Sequence, residues 1–321
     1  MTNPWPKIQR LDDDNDLVSK FVFTAPNAVV ESVLYRYPDF ATRTVVCCSV
    51  QSGCPVGCRF CGTGDAFVRS LTTEEIVAQP VACIEHACAT EGITPDQIER
   101  LQIMFMSMGE PLLNQKRVVE AIRELHELYP HAALLVSTSG PDVDYTPLLD
   151  VAAEIEQVGL QFSVHESTDA ARDQLVPFDR KLTLAGMAGK GAEFSRRTGR
   201  QPFLNYCVHP GNDTAGDVDR LQALFDPTIW QATLSVICER DETMAAAHER
   251  QLDLVNSFTS LMNEAGYSTR VFNPAGQDTI GGGCGQLWFV QQWYAEHPEL
   301  ARPNAGRGLP ILHAIQRTPE A

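Results

Sequence analysis

Residues 47–64 read CCSVQSGCPVGCRFCGTG. Five of the chain's ten cysteines fall between Cys47 and Cys61, and Gly53, Gly57, Gly62 and Gly64 are spread among and after them. Read as ligand geometry, Cys54, Cys58 and Cys61 form a C-x3-C-x2-C set. Structural zinc sites take four protein ligands in paired sets, and no second pair exists in this chain. A 4Fe-4S cluster held by only three thiolates instead leaves one iron open to a small molecule. A glycine-rich loop is also a poor place to bury three cysteines as plain hydrophobes.

The loop directly follows an apolar run, TVVCCSV (44–50). Five more strand-like runs follow: RLQIMFMSM (100–108), AALLVSTS (132–139), LQFSVHE (160–166), FLNYCVH (203–209) and ATLSVIC (232–238). Amphipathic periodicity predicts helices at about 72–88, 115–128, 145–157, 183–197, 215–225 and 244–264. Six β-α units predict an α/β fold with a parallel sheet, wrapped by right-handed crossovers into a partial (β/α)6 barrel. In such a fold the reactive groups gather at the strand C-termini. Residues 1–43 read as a short N-terminal β extension, hairpin-like around Asn27, with KFVFTAP and AVVESVLYRY as its strands. Residues 44–266 form the barrel, and 267–321 a C-terminal closing segment.

Composition sets the surroundings. The 321 residues are 44% hydrophobic, with no repeat and no disordered signature. No stretch approaches a membrane span, and the start, MTNPWPKIQRLDDDND, is polar and acidic, so the expected location is cytoplasmic with no membrane partner. In that reducing compartment ten cysteines serve as thiols, metal ligands or redox groups rather than a disulfide framework. The formal charge of −16 argues against a large polyanion as partner. Lys190, Arg196, Arg197 and Arg200 form the only compact basic stretch, read as a solvated helix end or a phosphate clamp.

CPVGCRFC, from Cys54 to Cys61, resembles the signature of the radical S-adenosylmethionine (SAM) superfamily. Further stretches sharpen the likeness: VESVL (30–34), CCSVQSGC (47–54), LTTEEIVAQ (71–79), MSMGEPLLN (106–114), STSG (137–140), SVH (163–165) and CGQL (284–287). Together they resemble the RlmN/Cfr family of radical SAM methyl synthases, which methylate adenine carbons in RNA. The resemblance implies a radical SAM barrel, a 4Fe-4S cluster on Cys54, Cys58 and Cys61, and two SAM molecules per turnover. It implies that Cys284 takes a methyl group from the first SAM, and that a radical made from the second activates that methyl for addition to an sp2 carbon. Cys47 then attacks Cys284, releasing the product with a disulfide. Glu31 falls where the family keeps its proton acceptor, and a flavodoxin- or ferredoxin-like protein would donate electrons.

For SAM, Gly109 offers close backbone approach and Glu110 a carbonyl or carboxylate partner for the amino group. Ser137 and Ser163 end strands where hydroxyls reach ribose or carboxylate oxygens, and His165 shares strand parity with Ser163. Cys47 and Cys48 have opposite parity, which assigns Cys48 to packing. Cys83, Cys88, Cys207 and Cys238 read as small buried hydrophobes.

Three departures bear on the substrate. About forty residues precede the core, where RlmN-like enzymes carry a helical accessory domain that engages RNA. VFNPAGQDTIGGGC (271–284) replaces the family's basic approach to the C-terminal cysteine, and no asparagine stands near Cys238-Glu239-Arg240, where the family contacts SAM. With five lysines in the chain, these features favour a small heteroaromatic acceptor. It would stack on Tyr35, Tyr37 or Trp288 and bring its phosphates to Arg36 or Arg240. The alternatives are the same chemistry on adenine carbon 2 or 8 of rRNA or tRNA, a non-methylating radical SAM enzyme, and an Fe-S sensor.

Overall fold

The computed structural model describes residues 3–236, 244–272, 277–280 and 287–304. In chain order the strands are β1 (Lys7–Asp12), β2 (Val18–Ala25), β3 (Ala28–Arg36), β4 (Arg43–Cys48), β5 (Gln51–Gly53), β6 (Ala66–Ser70), β7 (Arg100–Phe105), β8 (Ala133–Thr138), β9 (Val158–Ser163), β10 (Phe203–Val208), β11 (Gln231–Val236), β12 (Thr269–Phe272) and β13 (Arg302–Pro303). The helices are α1 (Thr73–Glu91), α2 (Gln115–Leu128), α3 (Thr146–Glu154), α4 (Asp169–Leu175), α5 (Leu184–Thr198), α6 (Ala215–Leu224), α7 (Met244–Glu264) and α8 (Trp288–Glu296).

The chain is mixed α/β around one ten-stranded sheet in the order β1-β2-β3-β4-β7-β8-β9-β10-β11-β12. From β4 to β12 neighbouring strands run parallel, as helical crossovers between apolar runs require. On the other side, β3 pairs antiparallel with β4, and β2 and β1 continue the sheet antiparallel. A small second sheet joins β13, β6 and β5.

Helix boundaries follow local chemistry. Thr72 and Glu75 form a capping box at the start of α1, and Gly92 ends it in the left-handed region at φ 67°. Thr183 caps α5 and Gly199 closes it at φ 71°, while Thr214 and Asp217 form a second capping box on α6. In α2, Val118, Ala121, Ile122 and Leu125 recur at helical spacing and turn one stripe onto the sheet.

Strand alternation separates an apolar face of the sheet from a polar one. Phe105, Val136, Phe162, Leu204 and Leu234 are fully buried in one cluster with Ile122 of α2 and Leu149 of α3. Each such side chain contributes about 1.5–3 kcal/mol by leaving water. The opposite face carries polar groups bonded across strands: Gln161 donates to Ser137 at 3.0 Å and Ser235 to Asn205 at 2.7 Å. Arg43 donates to Gln102 at 2.9 Å on that face, and Arg270 to Thr233 at 3.0 Å. Lys20 of β2 and Phe272 of β12, far apart in the strand order, border one cavity on that face, so the sheet curls over its polar face. No helix among the described residues is long and apolar enough to cross a membrane.

Candidate active site

A cavity of about 220 Å³ lies on the polar face. Glu31, Cys47, Cys54, Cys58 and Cys61 border it, as do Gly109, Glu110, Ser137, Ser163 and His165. These are all the site residues expected from sequence except Cys284, which lies outside the described residues together with Cys238 and Arg240. The described flanks of Cys284 meet the same region. Ile280 is buried in a cluster with Cys47, Tyr35 and Val18, and Leu287 borders the cavity.

The cysteine loop is held by its own backbone and by the far end of the chain. Cys54 N–H donates to the Ala66 carbonyl at 2.9 Å, and a Cβ on Gly53 (φ 75°) would come within 2.2 Å of that same oxygen, so only glycine fits there. Asn304 donates to the carbonyls of Cys54 and Gly64 at 2.6 and 2.7 Å. Gln291 of α8 donates to the Gly62 carbonyl and to Asp65 at 2.7 and 2.9 Å. Sequence reading missed both clamps, because residues some 230 to 250 positions away leave no local signal.

Three thiols on one cavity wall suit a 4Fe-4S cluster, which takes each thiolate on a separate iron. Among the described residues no three His, Cys, Asp or Glu side chains converge as the ligands of one ion do. Burial pushes the Cys54 and Cys58 thiols well up, an unfavourable state for thiolates that iron coordination removes. The buried Tyr294 hydroxyl, without a hydrogen-bond partner among the described residues, lies within electrostatic reach of Cys54 and Cys61, where a cluster would meet it.

Glu31 is fully buried, and its Oε2 lies 2.9 Å from Nζ of Lys20, itself 1% exposed. Its carboxyl lies above the usual carboxylate range: desolvation pushes it up, and Lys20 and the Val290 amide at the start of α8 pull it only partly back. Lys20 also borders the cavity. It escaped sequence reading because a single lysine in a strand normally marks a solvated face. Cys47 faces the cavity, and burial holds its thiol at about 12. Cys48 is packed in the apolar layer.

The expected SAM-binding positions carry internal tasks as well. The Glu110 carboxylate accepts from Leu112 N–H (3.0 Å), the Thr138 hydroxyl (2.6 Å), and both the amide and hydroxyl of Ser139 (2.7 Å each). That fills its four lone-pair sites, so the carboxylate ties the loop after β7 to the end of β8 and has no room for an amino group. Gly109 adopts φ 92°, and a Cβ there would meet Gln51 at 2.5 Å. His165 stands at φ 62°, accepts from the Cys207 amide through Nδ1 at 3.3 Å, and packs edge-on against Phe60 of the cysteine loop. Burial, then the charges of Arg172 and His209, hold it at about 3, so it is neutral.

Arg172 was also not expected. It is fully buried, and its guanidinium donates to the carbonyls of Val164 and Ser163 at 3.2 Å and of Leu182 at 3.4 Å, fixing the strand ends at the cavity rim. The basic stretch is a helix end: Arg197 pairs with Asp150, and Arg200 donates to the carbonyls of Ala152 and Glu156. Arg36 pairs with Glu91 at 3.0 Å, and the stacked rings of Tyr35 and Tyr37 lie 6.0 Å apart. Every described cysteine is a free thiol.

No family model matches the chain. It is 33% identical over 288 residues, 87% of its length and 76% of the other's, to a probable dual-specificity RNA methyltransferase RlmN of Thermobifida fusca. The corresponding protein of Thermotoga petrophila is 31% identical over 290 residues, 88% of this chain and 77% of that one. Among solved structures, a radical SAM methyltransferase from Sphaerobacter thermophilus superposes with a TM-score of 0.74 at 28% identity, covering 88% of this chain and 81% of the other. Fold and site thus define a radical SAM methyltransferase, a class that works with SAM and a 4Fe-4S cluster. Within that class the chain belongs to the RlmN family.

Proposed function

We propose that the enzyme methylates carbon 2 or carbon 8 of an adenine in rRNA or tRNA, through a methyl group carried on Cys284. Kinship carries this reading: relatives named as RNA methyltransferases match the chain at 31–34% identity across most of its length. It replaces the small heteroaromatic acceptor favoured by the charge of −16. Net charge is a sum over the whole surface, whereas RNA responds to the local field where it lies.

Bound cluster and SAM supply one-electron cleavage to an alkyl radical. Cys54, Cys58 and Cys61 are the residues to hold three irons, and the wall formed by Gly109, Ser137, Ser163 and His165 borders the room for SAM. Cys284 receives the methyl group as a thioether. Once the methyl carbon has bonded to the adenine and the adduct has given up its unpaired electron to the one-electron centre, Cys47 as thiolate would attack the Cys284 sulfur. An S–S bond forms, the S–C bond breaks with its electron pair going to the former methyl carbon, and that carbon takes up a proton as the methylated product leaves. Glu31 accepts the proton lost from the substituted carbon. The placement of Glu31 and Cys47 on one cavity, with Ile280 and Leu287 flanking Cys284 there, supports these roles. A flavodoxin- or ferredoxin-like donor in the cytoplasm would supply electrons and reduce the disulfide.

The curled sheet reads as the partial (β/α)6 barrel, with 1–43 as its extension and 267–321 as its closure. The test is anaerobic turnover with methyl-labelled SAM on rRNA, tRNA and mononucleosides. Label at an adenine carbon of RNA is expected; label in mononucleosides alone overturns the reading.

A further inference from the structure

We propose that Lys20 is a positioning residue for Glu31: its ammonium holds the buried carboxylate ionised and fixed on the cavity wall, ready to take a proton. This rests on the reading of Glu31 as the proton acceptor.

The argument begins with register. Lys20 pairs with Val33, and Val33 pairs with Cys47, so the three form one row across β2, β3 and β4 on the same face. Glu31 stands two residues before Val33, also on that face. The Lys20 ammonium reaches it at 2.9 Å, and the side chains are 1% and 0% exposed. Among the described residues, the other groups around Glu31 are these. The Val290 amide and the Tyr294 hydroxyl face it from α8, Cys47 is its diagonal neighbour on β4, and the Ser49 and Ser107 hydroxyls bond its backbone carbonyl at 2.6 and 2.8 Å. Among the described residues Lys20 is the only cation facing Glu31.

Two opposing effects meet at this carboxyl. Burial favours the protonated form, and the ammonium 2.9 Å away opposes it, offsetting part of that push toward the neutral acid. A base serves best when its proton affinity lies near the working pH, and burial offset by one adjacent cation moves a carboxyl in that direction. Stability gives no comparable reason for the pair, since a buried ion pair is commonly no more stabilising than packed hydrophobes of the same volume. When Glu31 takes the substrate proton, the pair becomes a neutral acid beside an ammonium. That excess charge favours passing a proton on and resetting the base.

The test uses the cluster-loaded enzyme with Lys20→Met, Lys20→Arg and the charge-free double variant Lys20→Met/Glu31→Gln, which keeps the packing if Lys20→Met alone unfolds. Difference infrared spectra, with Glu31→Gln as the blank, report the protonated carboxyl between about pH 4 and 9. The wild-type carboxyl is expected to be ionised at neutral pH. In Lys20→Met its midpoint should rise by about two units, and the rate of product release at neutral pH should fall about a hundredfold, recovering as the pH is raised. Lys20→Arg should restore ionisation. A wild-type carboxyl protonated at neutral pH, or a midpoint within about half a unit in Lys20→Met, overturns the proposal. If the infrared shift appears but no protein methylates RNA, the proposed function fails while the hold of Lys20 on Glu31 stands.

Discussion

Cys47 and Glu31 are diagonal neighbours on one face of adjacent antiparallel strands: Cys47 lies opposite Val33, and Glu31 comes two residues earlier on β3. Diagonal partners in such a pair sit about 7–8 Å apart, within reach of a substrate ring placed between them. In the proposed mechanism the thiol that resolves the adduct and the carboxylate that takes its proton therefore address one molecule from one wall. At about 12 the Cys47 thiol is protonated at neutral pH and must lose that proton before it attacks.

This division of labour separates two variants. Cys284→Ala should carry no protein-bound methyl after incubation with labelled SAM. Cys47→Ala should acquire the methyl and then stall as a covalent protein-RNA adduct, visible by intact-protein mass spectrometry after nuclease digestion. Normal turnover by Cys47→Ala would rule out disulfide release.

The three loop cysteines make a second case. Anaerobically prepared wild-type protein should be brown, absorbing near roughly 400 nm, with about four irons per chain. Cys58→Ala should lose that absorption and all reductive SAM cleavage. Stoichiometric zinc without iron in the wild type would dismiss the cluster.

Glu110 makes a structural case. Replacing it by Ala orphans two backbone amides and two hydroxyls at the junction of the β7 loop and β8. Each buried donor left unsatisfied costs about 1–3 kcal/mol, so urea denaturation should show a loss of at least about 2 kcal/mol. Glu110→Gln should lose less. Wild-type stability in Glu110→Ala would mean that the four bonds do not anchor the loop.

His165 links stability to pH. Its folded value is about 3, against about 6.5 in an unfolded chain, so between those limits the unfolded state binds a proton that the folded state does not. Stability attributable to this group therefore falls as pH falls, by up to about 1.4 kcal/mol per pH unit. His165→Asn, whose side chain tolerates the left-handed backbone at φ 62°, should remove that slope. Parallel pH profiles for the two proteins, measured by denaturation, would contradict the buried neutral imidazole.

How much of this was legible varied with range. The six apolar runs became β4, β7, β8, β9, β10 and β11 with boundaries shifted by a few residues, because apolar periodicity and capping signals are local. The hairpin around Asn27 was legible as well, since Ala25 pairs with Ala28 across it. β1 was not: KIQRLD is exposed along most of its length, and only pairing with β2 makes it a strand. α4 and α8 are short helices of seven and nine residues without a strong stripe, and α8 follows a glycine run that reads as loop. Within the site, residues carried by motifs could be picked out one by one, but their partners could not. Lys20, Gln291 and Asn304 take their meaning from contacts that only the folded chain creates.

The neighbours Cys47 and Cys48 have one further consequence. One thiol faces the cavity and the next faces the apolar layer, and the register of β4 against β3 and β7 decides which is which. Slipping β4 by a single residue would exchange them, delivering Cys48 to the chemistry and burying Cys47. Strand alignment thus works as a selector between two chemically identical nucleophiles. If Cys47 resolves the adduct as proposed, inserting or deleting one residue in β4 would hand that task to Cys48 without changing a single kind of side chain at the site.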